Sequence, residues 1–164
     1  MTDVKEAEMV WEFKGRGGSV FADGSAILKP DELDWMAGPL DGLEFKVTFA
    51  DPNDGDWLGL VRLGRNGKFP HHINHADVHY LVVAGELNTA HGTLSAGDYM
   101  RDPGGFVPER SAGPEGATMF CRFQGGISAA DTEGNRTGPY IDALFVRELS
   151  AKNGMDETLY IPTR

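Results

Sequence analysis

Glycine and proline interrupt this sequence too often for it to fold into long helices. The chain has 22 glycines and 9 prolines among its 164 residues, and both residue types disfavour the interior of a helix. Between these breaks lie five short runs rich in β-branched and aromatic residues, at 43–49, 57–63, 78–84, 118–123 and 140–146. Short strand-like runs separated by turns predict a single all-β domain, either a sandwich or a barrel.

The runs differ in the burial that they predict. In residues 43–49 apolar side chains alternate strictly with polar ones, which indicates a strand with one buried face. Residues 78–84 are almost continuously apolar, which predicts a strand buried on both faces. Only residues 31–35 and 147–152 have the composition of short helices. Cys121 lies inside an apolar run and is interpreted as a core residue.

The composition excludes several classes of function. The formal net charge is −10, and so acidic a chain is short of the lysines and arginines that meet phosphate. We therefore expect no binding to nucleic acid or to an anionic membrane. One cysteine allows no intramolecular disulfide and no cysteine-rich zinc module. No run approaches the roughly 18 apolar residues of a membrane span, and the acidic N-terminus does not resemble a signal peptide, so a cytoplasmic protein is expected.

All five histidines lie between His71 and His91. Imidazole is a common ligand of Zn, Fe, Ni and Cu, and neighbouring strands of a β-barrel can bring several imidazoles together. The alternative interpretation is a polar hairpin tip with exposed histidines. His79 argues against it, because it opens an apolar strand, where an unpaired imidazole is costly. The cluster therefore predicts a metal site.

Motifs around the histidines follow the order typical of one family. Phe69-Pro70, His72 and Gly85-Glu86-Leu87 fit the frame of the cupin metal motif, and the stretches 42–47, 56–63 and 94–99 extend the match. Over residues 26–125 the chain resembles the cupins, and within them the ChrR-like anti-sigma domains and the acetylacetone-cleaving dioxygenases.

This resemblance implies an all-β, single-domain cupin with little helix. Its barrel, a jelly roll or double-stranded β-helix, is expected at residues 26–150. An N-terminal arm would precede it at residues 1–25, and a C-terminal tail would follow at 151–164. The resemblance also implies a homodimer.

The chain departs from the family's ligand pattern. Counted along the motif, the second ligand histidine falls on Asn74, and asparagine is a poor ligand for a transition metal. A β-bulge would turn the neighbouring His75 inward instead, and His79 would then stand where the family has its glutamate. Without a bulge, His71 shares a face with His75 and becomes the rival of His72.

The family's late histidine is absent near residues 107–109. His91, on the next strand, is the candidate to replace it. Glu109 is a weaker candidate, since a carboxylate in such a loop is more often part of a salt bridge. The predicted metal ligands are His72, His75, His79 and His91, and no catalytic residue is assigned.

An all-histidine cupin site implies one divalent transition metal per chain, Fe(II) ahead of Zn or Ni. The implied reaction is oxidative cleavage of a C–C bond in a small β-dicarbonyl or hydroxy-ketone substrate. The alternative function is a non-catalytic module, like the anti-sigma relatives, that binds a metal or a small ligand, and a third is a metal-free cupin that binds a sugar or an acid. Six apolar residues are candidates to wall the pocket: Phe45, Trp57, Leu81, Val83, Met119 and Phe123.

Overall fold

The computed structural model describes residues 13–154 and 159–160, and strands dominate them. The strands are β1 Phe13–Gly15, β2 Gly18–Val20, β3 Ala26–Leu28, β4 Met36–Ala37, β5 Leu43–Asp51, β6 Asp56–Leu63, β7 Lys68–Phe69, β8 His72–Asn74, β9 Val78–Thr89, β10 Gly92–Ser95, β11 Tyr99–Asp102, β12 Gly105–Val107, β13 Arg110–Phe123, β14 Ile127–Ala129 and β15 Leu159–Tyr160. One α-helix, α1, spans Ala143–Lys152.

The strands form three sheets. The main sheet has nine strands in the order β10-β9-β13-β6-β5-β15, with β11 on β9, β4 on β5 and β7 on β13. A smaller sheet places β8 between β12 and β14, and a third joins β1, β2 and β3. Pairing is antiparallel, apart from β15 beside β5. This is the jelly-roll barrel that the cupin resemblance implies. Of the expected N-terminal arm, residues 13–25 form β1 and β2, and residues 1–12 lie outside the described part.

The alternating run at 43–49 is strand β5, but two of its three polar residues are buried as well, and only Glu44 is exposed. A register shift between Val47 and Phe49 interrupts its pairing with β6. Thr48 is fully buried and donates a hydrogen bond from its hydroxyl to the Leu58 carbonyl at 3.0 Å. Lys46 is also buried, and its ammonium donates to the Pro30 carbonyl at 3.0 Å. Alternation therefore predicted the strand correctly, and backbone carbonyls allow its polar residues to be buried.

Two predictions about strands are wrong. Strand β9 is buried on one face only, because Leu81 and Val83 are 39 % and 45 % exposed. The run at 140–146 is not a strand. Asp142 caps α1 by accepting a hydrogen bond from the Phe145 backbone N–H at 3.0 Å, and such a cap commits the following residues to a helix. The helix predicted at 147–152 is confirmed as the second half of α1, whereas 31–35 contains only a 3₁₀ turn at Pro30–Glu32.

The core lies between the sheets, around Trp57. Its ring stacks on Phe123 with centroids 3.9 Å apart, and Phe45 lies at 6.2 Å. The indole N–H donates to the Ile141 carbonyl at 3.3 Å, which ties the segment before α1 to the barrel. In the described part of the chain, no helix is long and apolar enough to span a bilayer.

Candidate functional site

Strand β8 places His72 and Asn74 on the interior side of the barrel. Side chains alternate along a strand, and here His72 and Asn74 are buried while Ile73 between them is half-buried. The sequence before β8 fixes the His72 ring, which packs against Phe69 with centroids 4.5 Å apart. Its Nδ1 lies 3.0 Å from the Pro70 carbonyl oxygen. Since a carbonyl only accepts, Nδ1 carries the proton and Nε2 keeps its lone pair.

Burial sets the protonation state of His72. The side chain is 5 % exposed, and burial lowers the pKa of His72 from 6.5 to about 4, because a charged imidazolium would lose its hydration. The hydrogen bond to the Pro70 carbonyl acts in the opposite direction but is the smaller effect. His72 is therefore neutral at pH 7.

Asn74 is the most unusual polar side chain of the interior. It is 2 % exposed, and neither its Nδ2 nor its Oδ1 has a hydrogen-bond partner among the residues that the structure describes. A buried polar group without a partner costs about 1–3 kcal/mol, so nearly all such groups in folded proteins are paired. Strand β8 is held between β12 and β14, which prevents the amide from turning out to solvent.

A buried ion pair lies beside these two side chains. Arg110, at the start of β13, donates from Nη1 to Oδ2 of Asp102 at 2.7 Å and from Nη2 to Oδ1 at 2.9 Å. Nη1 also donates to the Tyr80 hydroxyl at 2.6 Å, and that hydroxyl donates to Sδ of Met100 at 3.0 Å. Burial is the largest single effect and acts against the charged guanidinium, but the hydrogen bonds and charges of Asp102 and Tyr80 together outweigh it and raise the pKa of Arg110. The pair is therefore charged and internally satisfied.

A cavity opens between the polar group and the apolar core. It is lined by His72, Asn74, Tyr80, Asp102 and Arg110 on the polar side, and its apolar side includes Phe69, Val78, Leu87, Met119, Cys121 and Phe123. Its free volume is about 20 Å³, enough for one water-sized group. Burial raises the pKa of the Cys121 thiol, so Cys121 is a neutral core residue, as predicted.

Of the four predicted ligands, only His72 lines this cavity. His75 follows the end of β8 and is exposed, with Nε2 hydrogen-bonded to the Ser128 hydroxyl at 2.8 Å. His79 lies on the outer face of β9, in contact with the Tyr99 hydroxyl. His91 is exposed in the turn between β9 and β10. No bulge turns His75 inward, so Asn74 holds the position next to His72.

The two weaker candidates also lie elsewhere. His71 accepts a hydrogen bond at Nδ1 from the Glu109 backbone N–H at 3.1 Å and stacks on Phe106. The Glu109 carboxylate pairs with Lys68 at the surface, as a loop carboxylate commonly does. Among the six predicted wall residues, Met119 and Phe123 line the cavity. Phe45 and Trp57 belong to the core, and Leu81 and Val83 face outward.

The residues present do not fit the metal ion that the cupin resemblance implies. No group of three or more His, Cys, Asp or Glu side chains in the described part of the chain could hold one. At the interior positions after His72 stand Asn74 and the apolar Val78. Both oxygens of Asp102 are engaged by Arg110, whose fixed positive charge would repel a divalent cation.

No local pattern in the sequence indicates a shared role for Tyr80, Asp102 and Arg110. Their assembly depends on strand register, because β11 sets Asp102 opposite Val78 and Met100 opposite Tyr80. One signal was present in the sequence. Asn74 falls on a ligand position of the family motif, and such a substitution indicates that the chemistry of the interior has changed.

Comparisons with known proteins agree with this architecture. A family model described as the ChrR cupin-like domain matches residues 23–127. A candidate acetylacetone dioxygenase from Methylibium petroleiphilum PM1 superposes with a TM-score of 0.68 at 17 % identity, covering 76 % of this chain and 93 % of that one. The acetylacetone dioxygenase from Acinetobacter johnsonii gives a TM-score of 0.64 at 16 % identity, covering 72 % and 85 %.

An RmlC-like cupin protein from Ralstonia eutropha JMP134 gives a TM-score of 0.66 at 15 % identity, covering 84 % of this chain and 91 % of that one. At identities this low, the likeness establishes the fold alone. No curated protein matches the sequence.

Proposed function

The chain belongs to the ChrR cupin-like domain family, and from this premise we propose that it binds a small neutral molecule inside its barrel. The observation that carries the proposal is the Asn74 amide, buried in the cavity lining with neither polar atom bonded to a described residue. A ligand that satisfies this amide would recover the free energy that its burial costs. The polar groups of binding sites commonly lower the stability of the ligand-free protein in this way.

The charges around the cavity favour a neutral ligand. Asp102 and Arg110 cancel each other through two hydrogen bonds. His72 is neutral at pH 7 because burial lowers its pKa to about 4. An anion or a cation would therefore lose its hydration without gaining a free counter-charge. The free volume of about 20 Å³ limits the ligand to very few heavy atoms, and the apolar side of the cavity favours a small apolar part on it.

Binding of small neutral probes to the full chain tests this proposal. We expect methanol or formamide, which are among the smallest neutral molecules that form hydrogen bonds, to shift the methyl NMR signal of Met119, which lines the cavity, and to raise the melting temperature. Asn74→Leu should abolish both effects. Asn88→Leu is the matched control, since the Asn88 amide has partners in Ser111 and Thr93. Shifts that persist in Asn74→Leu, or no shift with any neutral probe, would contradict the proposal.

A second candidate function is metal-dependent dioxygenase chemistry on a small β-dicarbonyl or hydroxy-ketone. Two observations favour it: the fold likeness to acetylacetone dioxygenases and the Nε2 lone pair of His72. It ranks second because Arg110 and Asn74 are unsuited to a metal site. The test is anaerobic loading of tag-free protein with Fe(II), followed by O₂ uptake with a β-diketone panel. One bound metal per chain, lost in His72→Ala, together with O₂ uptake would place this function first.

A further inference from the structure

We propose that two copies of this chain associate through the outer face of strands β9 and β13, with the strands of one copy reversed relative to those of the other. This face has an apolar centre, basic side chains at one end and acidic side chains at the other. Such a surface is complementary to itself when a second copy meets it end to end. The proposal is independent of what the barrel interior binds.

The centre of this face is an exposed apolar row that crosses three strands. Tyr99 on β11 is paired with Leu81 on β9, and Leu81 is paired with Phe120 on β13. Val83 follows on β9. Leu81, Val83 and Tyr99 are 39 %, 45 % and 60 % exposed. Neighbouring exposed apolar side chains that are bordered by charged ones are typical of protein–protein contacts.

Basic side chains lie at one end of the apolar row. His79 on β9 is paired with Arg101 on β11 and with Arg122 on β13. Each arginine forms an ion pair with an aspartate at 2.6 Å, Arg101 with Asp77 and Arg122 with Asp56. The two arginine side chains are 55 % and 50 % exposed, whereas the aspartates are 29 % and 16 % exposed. The positive groups are therefore the ones that this end presents to the outside.

Acidic side chains lie at the other end of the same two strands. Glu86 on β9 and Glu115 on β13 are exposed, and both line an open groove of about 430 Å³. Neither carboxylate forms an ion pair with another described residue. The groove is large enough to admit the end of an arginine side chain.

One line across the sheet is equally far, counted in residues, from both charged ends. On β9 the point midway between His79 and Glu86 lies next to Val82. On β13 the point midway between the basic and the acidic residue lies next to Met119. Val82 and Met119 are paired with each other, so the two midpoints are neighbours in the sheet.

A two-fold axis along this line reverses the strands of the second copy and sets each strand over its own counterpart. Arg122 of one copy then lies over Glu115 of the other, His79 lies over Glu86, and each contact occurs twice. An axis parallel to the strands would instead bring like charges together. Because the chain has a net charge of −10, unlike charges at the contact are needed to offset the repulsion between two copies.

The mass of the full-length chain in solution tests the association. We expect sedimentation velocity to show a species of twice the chain mass of 17.8 kDa. Leu81→Asp places a charge in the apolar centre and should give the monomer, with folding checked by circular dichroism. Leu144→Asp is the matched control and should leave the dimer intact, because Leu144 is 50 % exposed on α1. A native chain that stays monomeric as its concentration is raised, or a dimer that survives Leu81→Asp, would overturn the proposal.

Charge reversal tests the orientation of the two copies. Arg122→Glu and Glu115→Arg each bring like charges together at both symmetry-related contacts, so each variant alone should raise the dissociation constant of the dimer by roughly tenfold or more. An equimolar mixture of the two variants should restore it, because unlike charges then face each other at both contacts. Net charge alone predicts the opposite for Glu115→Arg, which makes each chain less acidic. A mixture that associates no more tightly than the separate variants would contradict the reversed arrangement.

Discussion

At the scale of single residues, the barrel interior contains two buried charges, Asp102 and Arg110, that stabilise each other. Asp102 and Arg110 are each about nine-tenths buried, and each satisfies the other with paired hydrogen bonds. Removal of one member would leave the other charge desolvated and without a partner. Replacement of both by apolar groups of similar volume removes the two desolvation costs together, and in other proteins this is often neutral.

We therefore expect Arg110→Met to lower the free energy of unfolding by about 3–5 kcal/mol. The double variant Asp102→Leu/Arg110→Met should recover most of that loss. Urea denaturation of the single and double variants measures both values. The matched control is Arg101→Met, which breaks an exposed pair with Asp77 and should change stability by less than about 1 kcal/mol. Equal losses in the two single variants would contradict a special role for the buried pair.

Whereas replacement of Arg110 should lower the free energy of unfolding, replacement of Asn74 should raise it. Asn74→Leu removes two buried polar atoms that have no described partner and replaces them with an apolar group of similar size. The ligand-free protein should gain about 1–2 kcal/mol, seen as a higher melting temperature. Asn88→Leu, which breaks existing hydrogen bonds, should lower it. A loss of stability in Asn74→Leu would mean that the amide is satisfied in the folded protein.

His72 makes stability depend on pH in the acidic range. Its pKa is about 4 in the folded chain and 6.5 without burial, so between these values the unfolded chain binds the additional proton. The contribution of His72 is complete above pH 6.5 and is lost as the pH falls towards 4, by up to about 3 kcal/mol. Urea denaturation at pH 7 and pH 4.5 should show a smaller loss in His72→Gln than in the native chain. The exposed His91, changed to Gln, should leave the loss unaltered.

At the scale of elements, the sequence predicts strands that have a local pattern. It does not predict contacts that depend on how two strands pair. Alternation identified β5, and apolar runs identified β6 and β9. The assignment of His75 as a ligand required a bulge, and β8 is regular. Whether a bulge forms depends on β12 and β14 at its sides, which no local pattern reveals. In the same way, Asp102 meets Arg110 only because both strands pair with β9.

Gly85 occupies a position in the pairing of β9 with β13 that leaves no room for a side chain. Its φ is +72°, and a Cβ there would lie 2.1 Å from the Gly116 carbonyl oxygen, close to the register shift between Ala112 and Ala117. Gly85→Ala should therefore destabilise the fold by clearly more than the roughly 1 kcal/mol of backbone strain alone. Gly55→Ala is matched, with φ of +77° and open space around the Cβ. Thermal unfolding compares the two, and equal shifts would argue against the steric clash.

At the scale of the whole molecule, the centre of the main sheet holds the aromatic part of the core. Strands β6 and β13 each have neighbours on both sides, and they contribute Trp57 and Phe123, the stacked pair of the core. The sheet of β1, β2 and β3 is made of strands of three residues each. The predicted boundary of the barrel at residue 26 falls at the start of β3.

Amide hydrogen exchange should follow this division. We expect the slowest exchange, near the global free energy of unfolding, at β6 and β13, and much faster exchange at β2 and β3. Exchange followed by NMR on the intact chain gives both values in one experiment. Equal protection in the small sheet and in the main sheet would mean that the chain opens as a single unit.

The ion pair of Asp102 and Arg110 also has a consequence for how the protein reaches its finished state. The positive charge at the polar side of the cavity belongs to the Arg110 side chain, which Asp102 and Tyr80 hold in place. This charge is therefore part of the polypeptide itself. This part of the barrel is complete as soon as the chain has folded. Formation of this ion pair needs no metal ion, whatever the cavity binds afterwards.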